Sequence, residues 1–235
     1  VKSALNNPQI EAYIELADID VNGIVAPPQQ ITSNWDFERN RARVIVSDRT
    51  TADTVLRGYY QPQGNRYWAQ ARMPRVDAAI LSPVLKGIIS DITGTADVEA
   101  QVQGIGRMAE LNGRAIIDSL GMSVDYTKVR YTAPRGVVDI RKNHVLADRI
   151  EVYDPEGNKG YYSMDVSLER LANVTYDIDI DVEKMLVLDT KQRDNDLFYG
   201  KVYASGGASF RGDKTGIKMD IEGTSADNSR FYMPL

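Results

Sequence analysis

The sequence has no cysteine and a single histidine, His144, in 235 residues. A disulfide framework is therefore excluded, and so is any zinc site built from cysteine and histidine within this chain. The lack of cysteine leaves the redox compartment open, because disulfide-free proteins occur in oxidising and reducing spaces alike. There is no G-x-S-x-G nucleophile elbow, so a Ser-His-Asp triad would rest on His144 alone, which is expected to be an exposed histidine beside a turn. No apolar run reaches membrane-spanning length, and no signal peptide is recognisable. The chain starts at Val1 rather than Met. It is expected to be a section of a longer protein, with any targeting or anchoring segment outside it. Lys and Arg number 28 against 33 Asp and Glu, a net charge of −5, and no stretch concentrates the basic residues. That pattern carries no nucleic-acid footprint.

Helical periodicity is nearly absent as well, and strict alternation takes its place. In "VTYDIDIDV" (174–182), Val174, Tyr176, Ile178, Ile180 and Val182 alternate with Thr175, Asp177, Asp179 and Asp181. Successive strand side chains point to opposite faces, so this segment has one wet and one dry face. "TADVEAQVQG" (95–104) sets Val98, Ala100 and Val102 against Asp97, Glu99, Gln101 and Gln103. "SMDVSL" (163–168) sets Met164, Val166 and Leu168 on one side, and "GIKMDIEG" (216–223) sets Ile217, Met219 and Ile221 against Lys218, Asp220 and Glu222. "ARVIVSD" (42–48) and "RYWAQARM" (66–73) alternate likewise. In "YIELADIDV" (13–21) the parity slips near Asp18, which predicts a bulge. Such strands are expected of antiparallel sheet with one face in water. Roughly fifteen short strands are predicted in this way. Hairpin-like turns are expected at "QPQGN" (61–65), "PRG" (134–136), "PEGNKG" (155–160), "SGG" (205–207) and "RGDKTG" (211–216).

One segment departs from the pattern. "LSPVLKGIISDITG" (81–94) places Leu81, Val84, Leu85, Ile88, Ile89 and Ile92 at helical spacing, with Ser82 as N-cap and Pro83 as first helical residue. This predicts one short amphipathic helix of about two to three turns, shorter if Gly87 ends it, capping one end of the sheet. The same segment divides the chain into a strand block over 1–80, the helix at 81–94 and a second strand block over 95–235.

Chemical motifs are sparse. "GIGRMA" (104–109) matches G-x-G-x-x-A with Asp125 about twenty residues on, but a dinucleotide site needs a helix opening there. Gly113 breaks any such helix, and a glycine-rich turn is the expectation. "GASFRGDKT" (207–215) has Asp213 where a phosphate loop needs lysine. "DND" (194–196) and "DPEGN" (154–158) lack calcium-loop spacing and read as turns. The Asp177, Asp179 and Asp181 row reads as a solvated strand face. No catalytic residues, metal ligands or cofactor site are expected, and the chain is read as a non-enzyme.

The ordered series of segments resembles the TamB family (translocation and assembly module; AsmA-like, bridge-type lipid transfer proteins), and is most similar to the long members of Bacteroidetes-type diderm bacteria. The resemblance rests on "LSPVLKGIISDITGTADVEAQVQG" (81–104), "VDYTKVRYT" (124–132), "VYDPEGNKGYYSMDVS" (152–167), "LVLDT" (186–190), "DNDLFYGKVYASG" (194–206), the glycine pair around 206–212 and the closing "FYMPL" (231–235). It covers about 81–235, whereas residues 1–80 fit only in repeat style. It implies a mainly β fold, an elongated, curved antiparallel sheet (a U-shaped β-taco) with an apolar groove. It also implies a periplasmic location, an inner-membrane anchor in the full-length protein and an outer-membrane barrel partner reached through other parts of the chain. This chain would be a middle section.

Under that resemblance, Val98, Ala100, Val102, Met164, Val166, Leu168 and the dry residues of 174–182 and 217–221 would line a groove for phospholipid acyl chains. About fifteen strands spaced by about 4.8 Å would extend the sheet by roughly 70 Å. Three other readings compete. The first is a chaperone or scaffold for outer-membrane β-barrel assembly and autotransporter secretion, working by β-augmentation at open sheet edges. The second is a filled β-sandwich spacing other domains. The last is a glycan-processing enzyme, for which paired carboxylates across a cleft cannot be placed.

Overall fold

Valine, isoleucine, tyrosine and threonine at every second position lose side-chain freedom in a helix and pack well on a pleated surface. The computed structural model follows that preference. It describes residues 11–17, 19–21, 24–26, 28–168, 174–194 and 197–234. Its strands are β1 (Glu11–Leu16), β2 (Ile19–Val21), β3 (Ile24–Ala26), β4 (Gln29–Asp36), β5 (Arg41–Asp48), β6 (Thr54–Gln61), β7 (Arg66–Asp77), β8 (Ile89–Ile105), β9 (Met108–Val124), β10 (Val129–Arg141), β11 (His144–Tyr153), β12 (Lys159–Ser167), β13 (Thr175–Thr190), β14 (Tyr199–Asp213), β15 (Gly216–Ser225) and β16 (Arg230–Tyr232). Fourteen strands form one open antiparallel sheet in the order β1, β4 to β15, with β16 also paired to β14, while β2 and β3 pair separately. The expected parity slip at Asp18 lies outside the described residues.

Two expected features are corrected. The helix predicted over 81–94 is a 3-10 turn, Ala78–Leu81, followed by a single α-turn, α1 (Ser82–Leu85). The Asp77 carboxylate accepts the Ala79 N–H at 2.9 Å, Gly87 takes φ +84, and Ile89 already begins β8. The β-branched run Ile88, Ile89, Ile92 and Thr93 favours strand over helix there. Turns expected at "PRG" and "SGG" are strand interior instead, within β10 and β14. In both, glycine admits a close neighbour: a Cβ on Gly136 would lie 2.9 Å from Ile150 Cδ1, and one on Gly206 would run into the Glu222 carbonyl oxygen.

The protein falls into two compact units. The first comprises Val1–Arg75 with Asp97–Arg114, the second Val76–Ala96 with Ala115–Leu235. In the first, no described residue is buried. In the second, Ala133, Val138, Ala147, Ile150, Val152 and Met185 form a core, with Val129 also buried. The sheet curls there: strands β10 and β13 stand three places apart in the order, yet Tyr131 Oη donates to the Leu186 carbonyl at 3.0 Å. Asp189 N donates to the Thr127 carbonyl at 2.8 Å.

Bulges set this curvature. The register shifts between Ala147 and Ile150, and between Val182 and Met185, so that residues of opposite parity share the dry face. Each shift holds one residue in the left-handed region, Arg149 (φ 46) and Lys184 (φ 51). Its freed N–H finds a side chain on the neighbouring strand: Arg149 N donates to Ser163 Oγ at 3.0 Å and Lys184 N to Ser205 Oγ at 2.8 Å. Arg75 (φ 53) does the same in the first unit, donating to Asp97 Oδ1 at 2.8 Å.

Asp154 fastens the curled end. Its carboxylate accepts from the backbone of Glu156 and Asn158 (both 2.9 Å), from Asn158 Nδ2 (2.9 Å) and from Leu186 N (2.8 Å). The "DPEGN" loop is thus a turn, as expected, whose first residue also reaches β13.

Candidate functional site

Residues directly opposite in an antiparallel pair share a face. The registers of β10 to β15 therefore assemble the dry face of the second unit into rows. One row runs Ile140, Val145, Val166, Tyr176, Gly212, Ile217. The next runs Val138, Ala147, Met164, Ile178, Phe210, Met219, and a third Ile150, Tyr162, Ile180, Ala208, Ile221. The fourth, Val152, Gly160, Val182, Gly206, Gly223, is almost bare of side chains from β14 outward.

Cover declines along each row. Val138, Ala147 and Ile150 are buried, the β12 to β14 members of the first three rows are half-buried, and Ile217, Met219 and Ile221 are 52%, 56% and 70% exposed. Met164 and Val182 pack against the core, so these two expected groove residues are walls of the filled end. Leu168 and Val174 flank β12 and β13 and are half-buried.

Val98, Ala100 and Val102 belong to the first unit. Gly104 lies against Tyr67, while Arg72 on the opposite face pairs with Glu99 at 3.2 Å. Val98, Ala100 and Val102 therefore share the side of Tyr67, Ala69 and Ala71. That side continues through Leu56, Gly58 and Tyr60 to Ala42, Val44 and Val46, an apolar face without a buried residue.

The opposite face of β13 to β15 is ionic. Arg211 Nε meets Asp177 Oδ2 at 2.9 Å and its Nη2 meets Asp179 Oδ1 at 3.4 Å; Asp177, ahead of Asp179, holds the guanidinium above its ordinary pKa. Lys218 Nζ lies 3.0 Å from Asp220 Oδ2. An open hollow of about 930 Å³ at β13 to β15 is lined from both faces, by Ile180, Ala208 and Ile221 of the dry rows as well as by Asp179, Asp181, Asp220 and Glu222. Among the described residues no group of three or more His, Asp or Glu could hold a metal ion.

In the filled end, burial raises the Asp154 carboxyl, but its four donors, the Leu186 N–H foremost, outweigh it and hold the group below its ordinary value. Burial, and then the Asp154 charge, pushes the Tyr131 hydroxyl up to about 12. In the first unit Asp36 lies at about 2: burial raises it, while the Arg39 N–H and the Arg43 and Arg41 side chains lower it by more.

The chemical motifs resolve as turns. Gly106 and Arg107 form the β8–β9 turn of "GIGRMA", and a strand follows, not a helix. "GASFRGDKT" is the end of β14 and its hairpin turn. In "DND", Asp194 accepts the Lys191 N–H at 2.8 Å, and 195–196 lie outside the described residues. His144 begins β11 after the turn Lys142–Asn143 (φ 48 and 68), with Nδ1 2.7 Å from Asp165 Oδ1. Both side chains are over a third exposed, so the contact contributes at most about 1 kcal/mol. His144→Ala should lower the melting temperature by less than about 4 °C, and a larger fall would show that the exposed contact with Asp165 matters to the fold. Sequence reasoning missed the buried Asp154 anchor, because its Leu186 partner is distant in the chain and no local pattern announces it. Comparison with known proteins finds no matching family model, curated protein or solved structure.

Proposed function

We propose that this chain is a section of a TamB-like periplasmic bridge that carries phospholipid between the inner and outer membranes. Acyl chains lie along the dry face of a groove, and a U-shaped curvature of the sheet cradles them. The full-length protein is anchored in the inner membrane and meets an outer-membrane barrel protein through parts beyond this section. The observation that carries this reading is the continuous apolar face whose cover runs out toward Ile217, Met219 and Ile221. Apolar rows left in water are unfavourable, and each acyl CH₂ laid against them gains about 0.8 kcal/mol. The wet face, paired as Arg211 with Asp177, keeps the opposite side soluble. The reading needs no catalytic group, metal or cofactor, and no nucleic acid. Its test is vesicle-to-vesicle transfer of a fluorescent phospholipid by the wild-type chain and by Ile178→Glu.

The exposed edge of β15 supports a second reading, a scaffold for outer-membrane barrel assembly and autotransporter secretion that takes a client strand by β-augmentation. Under it Ile178→Glu leaves function intact, since the edge and not the dry face does the binding.

A further inference from the structure

Strand β15 closes one end of the sheet order, and all ten of its residues are exposed. Its inner side pairs with β14 from Gly216 to Ser225, and no described strand pairs with its outer side. A strand edge of this length presents alternate unpaired N–H and C=O groups to an incoming strand. The β14–β15 register runs from Gly216 to Ser225 without a shift, so no bulge blunts this edge, and a turn at 226–229 follows it.

We propose that this edge pairs antiparallel with the same edge of a second copy, centred on Met219. The sequence of β15 complements itself in that register. Met219 opposes Met219 of the second copy, Ile217 opposes Ile221, and Lys218 opposes Asp220, the last two pairs occurring twice by the two-fold symmetry. Neighbouring registers are poorer on charge. Centring on Asp220 sets two aspartates face to face, which offsets its two Lys218–Glu222 pairs, centring on Lys218 sets two lysines face to face, and centring on Ile221 sets Asp220 against Glu222 twice. Half-step registers pair the dry face of one copy with the wet face of the other. The present Lys218–Asp220 contact joins two exposed side chains of one strand, and pairing replaces it with two cross-strand ion pairs. A two-fold axis normal to the sheet keeps both dry faces on one side, so the row Ile178, Phe210, Met219 runs on into its symmetry mate.

Sedimentation velocity on the 235-residue chain, up to on the order of 100 µM, should show a monomer–dimer equilibrium. Asp220→Lys sets lysine against Lys218, and Lys218→Asp sets aspartate against Asp220. Each should weaken the dimer by about tenfold or more, and the double variant Lys218→Asp/Asp220→Lys should restore it to near the wild-type constant. Circular dichroism should show all three folded, since both side chains are more than half exposed. Phospholipid transfer by the same variants is read separately, so loss of pairing and loss of the lipid face are told apart. A chain that stays monomeric throughout overturns the proposal, as does a dimer indifferent to either single reversal or one that the double reversal fails to restore.

Discussion

Ile178→Glu is expected to leave the chain folded and to reduce phospholipid transfer by about tenfold or more. Ile178 stands mid-row between Met164 and Phe210, half-buried, where a continuous dry face would be most sensitive to a charge. A carboxylate at a half-buried position still reaches water or takes up a proton, which limits the cost to about 1–3 kcal/mol. That is less than the 5–15 kcal/mol or so that holds a typical domain together. An acyl chain sliding along the row must displace the water around that carboxylate, so transfer suffers far more than folding. Thr175→Glu is the matched control, placing the same group at an exposed position on the opposite face of the same strand. Asp179 would be a poorer control, because it already accepts from Ser209 and pairs with Arg211. An unfolded Ile178→Glu would point to a face sealed by its own side chains. A folded and fully active one would remove the dry face from function.

Asp154→Ala should be strongly destabilising at the filled end. It removes the acceptor of four hydrogen bonds and leaves the N–H of Leu186, a residue only 2% exposed, without a partner. Leaving such groups unsatisfied costs about 2–4 kcal/mol in total. That should lower the melting temperature by roughly 4–16 °C for a protein of this size. The pH dependence has a definite sign. The folded carboxyl titrates below its unfolded value of about 3.9, so its contribution is complete above that pH and is lost as pH falls through the lower folded value. The gap in melting temperature between wild type and Asp154→Ala should therefore be constant near neutral pH and narrow on acidification below about pH 4. A gap that persists unchanged at low pH would mean that the carboxylate charge is not what fastens the turn to β13.

The strands were legible because alternation is a one-dimensional signal. The rows through Val166, Ile178 and Ile217 follow from parity once neighbouring strands pair in register. Parity fails where a bulge intervenes, and sequence does not mark those bulges. Arg149 and Lys184 are ordinary surface residues until Ser163 and Ser205 are found opposite their freed N–H groups. The helix at 81–94 was over-read for a related reason. Leu81, Val84, Leu85, Ile88 and Ile92 satisfy helical spacing, but Ile88, Ile89 and Thr93 are β-branched, Gly87 interrupts, and a sheet was available to take them. The "PRG" and "SGG" segments look like turns by composition. Tertiary crowding by Ile150 and Glu222 is the actual reason for Gly136 and Gly206. The gradient of exposure from Val138 to Met219 has no sequence counterpart at all, since both residues are simply apolar members of alternating strands.

The most direct measurement on the lipid-carrying role proposed for the dry face is native mass spectrometry of the chain purified without added detergent from a bacterial host. Phospholipid retained by the wild-type chain and reduced in Ile178→Glu is the expected result. A wild-type chain that carries no phospholipid, and takes none up from vesicles, would contradict the role assigned to the dry face.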